Sequence, residues 1–184
     1  MTRNLLLLSI AALSLFACKG PEARRPVRTT SGTFIKESAE RNKILLEQEE
    51  KMIATIIEQD TAKTYLTSDS GFWYYYNVKD SLPSNPPKFG DDVTFTYDIK
   101  TLNGKLILSE SDNGVQNYKI DQSNQELISG IRDGLKLMKV GETVTFLFPS
   151  YKAYGYYGIE NKLGTNVPVR STVTLKTITT QENE

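Results

Sequence analysis

The stretch from residue 128 to residue 158 constrains the fold of this chain more than any other part of its sequence. An apolar segment with helical spacing, residues 128–138, leads through Gly141 and Glu142 into an apolar strand that ends at Pro149. A glycine-punctuated loop follows and contains four tyrosines, Tyr151, Tyr154, Tyr156 and Tyr157. Because tyrosine joins a large apolar ring to a hydroxyl that donates or accepts, the loop favours contact with an apolar group that carries a carbonyl.

The first 18 residues have the pattern of a secretory signal. Arg3 comes before an apolar run of leucines, and Ala17 comes directly before Cys18. The run is too short to predict a membrane span. Residues 15–18 read Leu-Phe-Ala-Cys and resemble the bacterial lipobox, which predicts a signal peptide of residues 1–17 and lipidation of Cys18. The alternative is an ordinary signal peptide with a chance cysteine.

We therefore expect a lipoprotein that is anchored to a membrane through the lipid on Cys18 and faces the periplasm. The choice between inner and outer membrane stays open. Residues 18–33 are polar, contain proline, glycine and arginine, and lack apolar periodicity, so they predict a flexible tether. Arg24, Arg25 and Arg28 would contact anionic headgroups in one interpretation and stay solvated in the simpler one.

The composition excludes several kinds of chemistry. The chain has no histidine, which rules out a Ser-His-Asp triad, a histidine zinc site and histidine acid–base catalysis. Its one cysteine, Cys18, cannot form a disulfide framework or a cysteine metal cluster. Its 22 basic and 22 acidic residues balance, without the strong basic face that nucleic acid requires. We therefore expect no metal, no cofactor and no nucleic-acid partner.

Residues 34–62 predict an amphipathic helix, because apolar residues recur three and four positions apart among glutamate, lysine and glutamine. The apolar positions are Ile35, Ile44, Leu45, Leu46, Met52, Ile53, Ile56 and Ile57. A single helix cannot bury such a stripe by itself. It packs either on the domain that follows, which is the commoner arrangement, or on a second copy of the chain, which would make a homodimer.

Residues 72–78, Phe-Trp-Tyr-Tyr-Tyr-Asn-Val, predict a strand, and the proline-rich connector at 82–87 ends it. The aromatic run is either a binding platform or, as we favour, a strand whose alternate rings pack on a neighbouring sheet. Residues 34–88 are thus predicted to form an N-terminal helix and a connecting strand. A domain of residues 89–180 follows, with a tail of residues 181–184.

Residues 89–180 predict an α+β domain, in which an antiparallel sheet of about five strands wraps one short helix. Alternating apolar residues place the strands at 93–99, 106–108, 117–120, 144–148 and 173–177. Ser123 and Glu126 have the spacing of a capping box at the start of the helix. The buried stripe of that helix is predicted to be Leu127, Ile128, Ile131, Leu135 and Met138.

The order and spacing of seven short motifs resemble the FKBP-type peptidyl-prolyl isomerases over residues 90–178. The motifs are Gly-Asp-Asp-Val at 90–93 with Tyr97, Gly104-Lys105, residues 127–131, residues 134–138, Gly141-Glu142, residues 149–155 and Val167-Pro168. The layout of a lipidated single domain behind a tether and a helix resembles the gliding-motility-associated FKBP-like lipoproteins. The resemblance implies an isomerase of X–Pro bonds that assists the folding of exported, proline-containing polypeptides. Its alternative is a non-catalytic FKBP-like chaperone or assembly module.

The resemblance also implies the residues of a proline-binding pocket. The catalytic group would comprise the Tyr154 hydroxyl, the backbone N–H of Ile128 and the ring of Tyr97 as a wall. The substrate-binding group would comprise Ile107, Tyr118, Leu127, Ile131, Val167 and Leu175. Several of these residues would equally serve as ordinary core.

The chain departs from the family pattern at three of these pocket positions and at the neighbouring Leu108. Ile107 and Leu108 stand where the family usually has phenylalanine and aspartate, Ile131 replaces the usual tryptophan floor, and Leu175 replaces a phenylalanine. The pocket stays apolar but loses rings and a polar orienting group. We therefore expect substrate binding to survive better than turnover, and macrolide inhibitors to bind poorly.

Overall fold

The computed structural model describes residues 31–80, 84–122 and 126–180. Its first element is the long helix α1, Ser31–Gln59, so the predicted helix is confirmed and begins and ends three residues earlier than the periodicity indicates. The chain divides into two compact units, Met1–Ala39 and Glu40–Glu184. In the described part of the first unit, Phe34 and Ile35 are exposed. The second unit contains the rest of α1 and every strand described below.

The described residues of the second unit form eight strands and three short helical segments. The strands are β1 Leu66–Ser68, β2 Phe72–Val78, β3 Asp92–Tyr97, β4 Ile99–Thr101, β5 Leu106–Leu108, β6 Gln116–Lys119, β7 Thr143–Phe148 and β8 Val169–Thr179. The helical segments are α2 Glu110–Asn113, α3 Ser129–Leu135 and a 3₁₀ turn at Ser150–Lys152. The strand pairs are antiparallel in the order β1-β2-β7-β8-β3-β6, with β4 paired to β8 and β5 paired to β4. The α+β fold preceded by a helix is therefore confirmed.

The predicted number of about five strands is wrong, since the sheet has eight among the described residues. One cause is Asp98, at which the first predicted strand divides into β3 and β4. The Asp98 carboxylate accepts a hydrogen bond from the Thr172 backbone N–H at 2.9 Å, and its carbonyl accepts one from the Ser171 hydroxyl at 2.7 Å. These bonds take the place of regular ladder pairing where β8 changes its partner from β3 to β4.

The other cause is the aromatic segment, which joins the same sheet as β2 and carries the short β1 at its edge. The strand prediction for residues 72–78 is confirmed. Phe72 is fully buried, and its ring centroid lies 5.3 Å from that of Phe148 and 5.7 Å from that of Phe146. Tyr74 and Tyr76 pack against the same core. Alternate rings of β2 therefore supply core, as the favoured interpretation predicts, but β2 belongs to the same sheet and does not pack on a neighbouring one.

The short helix α3 packs on the concave face of the sheet. Ile131 and Leu135 on this helix are fully buried in the core. The helix ends at Leu135, before the predicted residue 138, because Met138 N–H bonds back to the Leu135 carbonyl in a tight turn instead of continuing the helix. Gly141 follows with φ +85°, a conformation that favours glycine. The predicted capping box falls on Ser123, which lies outside the described residues.

The second half of α1 packs on the domain. Ile53 is fully buried and Glu49 is 1% exposed, so packing of this helix on its own domain is confirmed. Ile44 and Met52 each remain 47% exposed on the same helix. The homodimer stays a prediction. Across the described residues, none of the helices has the length and apolar composition needed to cross a membrane.

Candidate functional site

The structure brings all nine predicted pocket residues into one cluster. Ile107, Tyr118, Ile131 and Leu175 belong to the buried core. The partly buried residues packed against that core include Tyr97, Leu127, Ile128, Tyr154 and Val167. These residues come from four strands, from α3 with the segment before it, and from two loops. Their roles in binding and catalysis remain predictions, but their proximity is a feature of the fold.

Burial divides the cluster into a floor and a rim. Ile131 on α3 and Leu175 on β8 are fully buried, so they form an apolar floor. Tyr97, Ile128 and Tyr154 are only partly buried, so they stand where the cluster meets solvent. The cluster thus has a covered apolar interior and a partly exposed edge that carries the ring and hydroxyl of Tyr154.

Tyr154 is the rim residue with the most perturbed environment. Burial raises the pKa of its hydroxyl well above the ordinary tyrosine value, and the neighbouring Tyr97 raises it further. Burial also raises the pKa of Tyr97. Both phenols therefore stay protonated at neutral pH and keep a proton to donate. Neither hydroxyl bonds to another of the residues that the structure describes.

The backbone at Ile128 presents a second donor. Ile128 precedes α3 in an extended conformation, with φ −57° and ψ 143°, and its carbonyl accepts the Arg132 N–H at 3.2 Å. Its own N–H belongs to the first turn, where a helix leaves backbone donors without an internal partner. Within the described ranges this N–H makes no backbone hydrogen bond. Tyr154 and Ile128 thus offer the two donors that the resemblance implies.

Tyr118 adds a polar group to the cluster, whereas the sequence interpretation assigned this residue only to the substrate-binding group. The residue is 6% exposed, and its hydroxyl is buried without a hydrogen-bond partner among the residues that the structure describes. A buried hydroxyl without a partner is costly, so such a group is uncommon in a native structure. A carbonyl bound in the pocket would satisfy it. Leu108, in contrast, packs against the cluster as an apolar side chain where the resemblance implies an aspartate.

A tight turn after β7 places Tyr154. The Ser150 carbonyl accepts hydrogen bonds from the N–H groups of Ala153 at 3.0 Å and Gly155 at 2.8 Å, which flank Tyr154 on both sides. The Gly155 carbonyl in turn accepts the Asn166 N–H at 2.7 Å, next to Val167 of the pocket. Gly155 has φ +49°, which favours a residue without a side chain.

The other tyrosines of this loop point elsewhere. Tyr151, Tyr156 and Tyr157 are 52%, 76% and 91% exposed, so only Tyr154 of the four joins the cluster. Tyr151 donates a hydrogen bond to the Gly71 carbonyl at 3.2 Å. The aromatic richness of the loop is therefore mainly a surface feature, and one side chain connects it to the site.

Charged groups tie the same loop to α3. Lys152 forms an ion pair with Asp133 at 2.9 Å, and the Ser129 hydroxyl donates to the Lys152 carbonyl at 3.3 Å. Partial burial by itself would raise the pKa of Asp133. The hydrogen bonds and charges of Lys152 and Lys136 together outweigh this effect and hold that pKa below its ordinary value. The loop and the helix that line the site are thus joined by a carboxylate that stays ionised.

A contact that the sequence interpretation missed joins the loop to α1. The buried Glu49 carboxylate accepts hydrogen bonds from Ser150, the first residue of the turn that places Tyr154. The sequence signal was an acidic residue four positions before the apolar Ile53, on the same helix face. A groove of about 440 Å³ lies beside this contact, and its lining includes Leu45, Leu46 and Tyr156 but none of the nine predicted residues. No cluster of three acidic or cysteine side chains within the described residues could hold a metal ion.

Comparison with known proteins gives consistent matches. The sequence pattern of the family described as FKBP-type peptidyl-prolyl cis-trans isomerase matches residues 84–177. The probable FKBP-type peptidyl-prolyl cis-trans isomerase FkpA of Neisseria meningitidis serogroup B (strain ATCC BAA-335 / MC58) is 28% identical over 127 residues. That alignment covers 69% of this chain and 45% of the relative, so the chain spans less than half of the length of this relative.

Two solved structures share the fold. The crystal structure of FkpA from Escherichia coli superposes with a TM-score of 0.58 at 21% identity, covering 96% of this chain and 82% of that one. The peptidyl-prolyl cis-trans isomerase of Pseudomonas syringae pv. tomato str. DC3000 superposes with a TM-score of 0.56 at 21% identity, covering 75% of this chain and 96% of that one. At this identity the superpositions show the shared fold alone.

Proposed function

Because the chain belongs to the FKBP-type peptidyl-prolyl cis-trans isomerase family, we propose that it isomerises X–Pro bonds in polypeptides. The observation that carries the proposal is the half-buried Tyr154 hydroxyl, which stands at the rim of an apolar cluster with a fully buried floor. Substrates would be proline-containing segments whose ring enters the cluster and whose carbonyl reaches the rim donors.

The reaction needs no nucleophile, metal or histidine. Rotation about a peptide bond meets a barrier of about 18–20 kcal/mol because amide resonance is lost in the twisted form. A catalyst must therefore bind the twisted amide better than either planar form. The apolar floor removes water from the carbonyl, and water favours the charge-separated planar amide. Tyr154 and the Ile128 N–H then supply fixed donors to the carbonyl oxygen.

The test is a protease-coupled proline-peptide assay on residues 19–184, which contain every element that the structure describes. Wild type should accelerate isomerisation, and Tyr154→Phe should lower kcat/KM about tenfold, because one neutral hydrogen bond contributes about 0.5–1.5 kcal/mol. Tyr157→Phe is the matched control, since Tyr157 is 91% exposed and should retain full activity. Equal rates for Tyr154→Phe and wild type would show that this hydroxyl does not act on the substrate.

The second candidate function is a non-catalytic chaperone or assembly module that uses the same cluster to hold a partner. The observation that favours it is the aliphatic lining, because Ile107, Ile131 and Leu175 provide no ring to stack on a prolyl ring. The same assay separates the two functions. If wild type is no faster than the uncatalysed reaction but the protein still suppresses aggregation of an unfolded client, the binding function holds.

We also propose that the protein is anchored to a membrane and faces the periplasm, where it would act on exported proteins. The support is the sequence pattern around Cys18, which lies outside the described residues. Palmitate labelling of expressed chain should mark wild type and should be lost in Cys18→Ala, which should also leave the membrane fraction. Labelling of both forms would contradict the anchor.

We further propose a role in gliding-motility machinery. The support is the layout predicted from the sequence, in which a lipid anchor, a tether and a helix precede a single domain. Deletion of the gene in its own host tests this role, since colony spreading should be lost and should return with the wild-type gene. Unchanged spreading would rule it out.

A further inference from the structure

The contact between Glu49 and Ser150 joins the N-terminal helix to the loop that carries Tyr154. Glu49 lies on α1 and is 1% exposed. One carboxylate oxygen accepts the Ser150 backbone N–H at 2.7 Å, and the other accepts the Ser150 hydroxyl at 2.6 Å. The two residues are 101 positions apart in the chain. Both oxygens of a single buried carboxylate are thus directed at one residue.

This arrangement is not explained by the packing of α1 alone. A buried carboxylate is costly unless it is hydrogen-bonded, and an apolar residue at this position would cover the same surface at less cost. Ser150 begins a 3₁₀ turn, and Pro149 before it provides no side-chain cap. The Ser150 N–H would therefore lack a partner, and Glu49 supplies a charged acceptor for it. Glu49 therefore stabilises the turn that begins at Ser150.

Ser150 is also hydrogen-bonded to the residues beside Tyr154. The carbonyl of Ser150 accepts the N–H groups of Ala153 and Gly155, the two residues on either side of Tyr154. The donor groups of Ser150 are thus held by Glu49, and its acceptor holds the backbone around Tyr154. A displaced Ser150 would displace both neighbours of Tyr154, because their N–H groups are hydrogen-bonded to the Ser150 carbonyl and each peptide unit moves as a plane.

The opposite side of the turn is fixed independently. Lys152 is bound to Asp133 and Ser129 of α3, and Gly155 is bound to the backbone of Asn166. Loss of Glu49 would therefore release one side of the turn while leaving the other attached. The expected result is a small shift of Tyr154 and not an unfolded loop.

We propose that Glu49 is a positioning residue for Tyr154, so that α1 belongs to the isomerase site as well as to the N-terminal region. The proposal rests on the proposed function. A misplacement of about 1 Å at a reacting group can lower a rate by as much as a hundredfold. A contact that holds Tyr154 in place can therefore change the rate strongly. Its effect should fall on kcat more than on KM, because Glu49 is not one of the nine residues predicted to bind the proline.

The test compares Glu49→Gln with Glu50→Gln in the full chain, solubilised in detergent where it is lipidated. Glutamine keeps the shape of Glu49 but removes its charge. Its amide oxygen can still accept the Ser150 N–H, while its amide nitrogen can only donate to the Ser150 hydroxyl, so two charge-assisted hydrogen bonds become two weaker neutral ones. Glu49→Gln should lower kcat about tenfold, with KM changed less than twofold. Glu50→Gln, which removes the adjacent exposed carboxylate, should match wild type.

A double-mutant cycle separates positioning from a general loss of structure. In the Tyr154→Phe background, Glu49→Gln should cause little further loss, because the hydroxyl that it positions is already gone. Fully additive effects, or wild-type kcat in Glu49→Gln, would overturn the proposal. If Glu49→Gln does not fold, Ser150→Ala replaces it. That variant removes one of the two hydrogen bonds and should lower kcat about threefold.

A second measurement, amide hydrogen exchange, tests the positioning role of Glu49 independently of isomerase activity. Amide hydrogen exchange of residues 150–158 should speed up in Glu49→Gln and stay unchanged in Glu50→Gln. If wild type shows no isomerase activity, the proposed function fails, and this exchange together with affinity for a proline-containing peptide decides the positioning role. Equal exchange and equal peptide affinity in the two variants would then overturn it.

Discussion

Replacement of Phe148 by alanine is expected to lower the free energy of unfolding by about 3–5 kcal/mol. Phe148 is fully buried at the end of β7. Its ring stacks on Phe146 with a centroid distance of 5.4 Å and meets Phe72 edge to face at 5.3 Å. The substitution removes apolar burial and two aromatic contacts and leaves a cavity under α3 that its neighbours cannot fill without moving.

Urea denaturation followed by tyrosine and tryptophan fluorescence measures this change. Since small domains are stable by only about 5–15 kcal/mol, the variant should unfold at a clearly lower urea concentration. Tyr157→Ala removes an aromatic ring that is 91% exposed and should stay within about 0.5 kcal/mol of wild type. A loss below 1 kcal/mol in Phe148→Ala would mean that the three rings do not form a packed unit.

Local side-chain patterns predicted the parts of the fold that depend on one segment at a time. The alternation of residues 93–99, the aromatic strand at 72–78 and the helical stripe of α1 are each visible within about ten residues of sequence. The division of the first strand at Asp98 is different in kind. It depends on Ser171 and Thr172, which are more than seventy positions away, so no local pattern reveals it.

The candidate site likewise contains residues that the sequence predicts and residues that only the folded structure reveals. The nine pocket residues follow from the resemblance, which assigns them positions on a known fold. The structure places all nine in the core or packed against it, and their roles remain predictions. Glu49 was missed, because a glutamate in an amphipathic helix is usually solvated. Its spacing from Ile53 indicates the helix face, but only its partner Ser150 explains its burial. The buried hydroxyl of Tyr118, which has no hydrogen-bond partner among the described residues, was missed for a similar reason, since such an absence depends on every neighbour in space.

The second large effect is expected at Gly130 on α3, where two physical effects oppose each other. Alanine forms helix better than glycine by about 1 kcal/mol, so propensity alone predicts that Gly130→Ala stabilises the protein. In the structure, however, an added Cβ would lie 2.6 Å from the Phe148 ring and 2.9 Å from the Lys152 carbonyl oxygen. The ring is fully buried and the carbonyl is backbone, so neither can move aside freely.

Overpacking of this kind costs about 1–3 kcal/mol and more where backbone must move, so the net effect of Gly130→Ala should be destabilising. The carbonyl that must move belongs to the loop of Tyr154, so activity should fall together with stability. Gly164→Ala is the matched control, because its added Cβ would meet only a Val167 methyl at an ordinary 3.7 Å. A Gly130→Ala variant as stable as wild type would show that α3 stands further from the sheet.

The two substitutions should also be coupled, because the same ring is involved in both. In the Phe148→Ala background the closest obstacle to the Gly130 Cβ is gone, while the Lys152 carbonyl oxygen remains at 2.9 Å. Gly130→Ala should therefore cost less there than in wild type, and the added methyl should fill part of the cavity. Equal costs in the two backgrounds would place the strain at the loop backbone alone. In that case Gly130 is required for the position of the loop more than for the packing of the core.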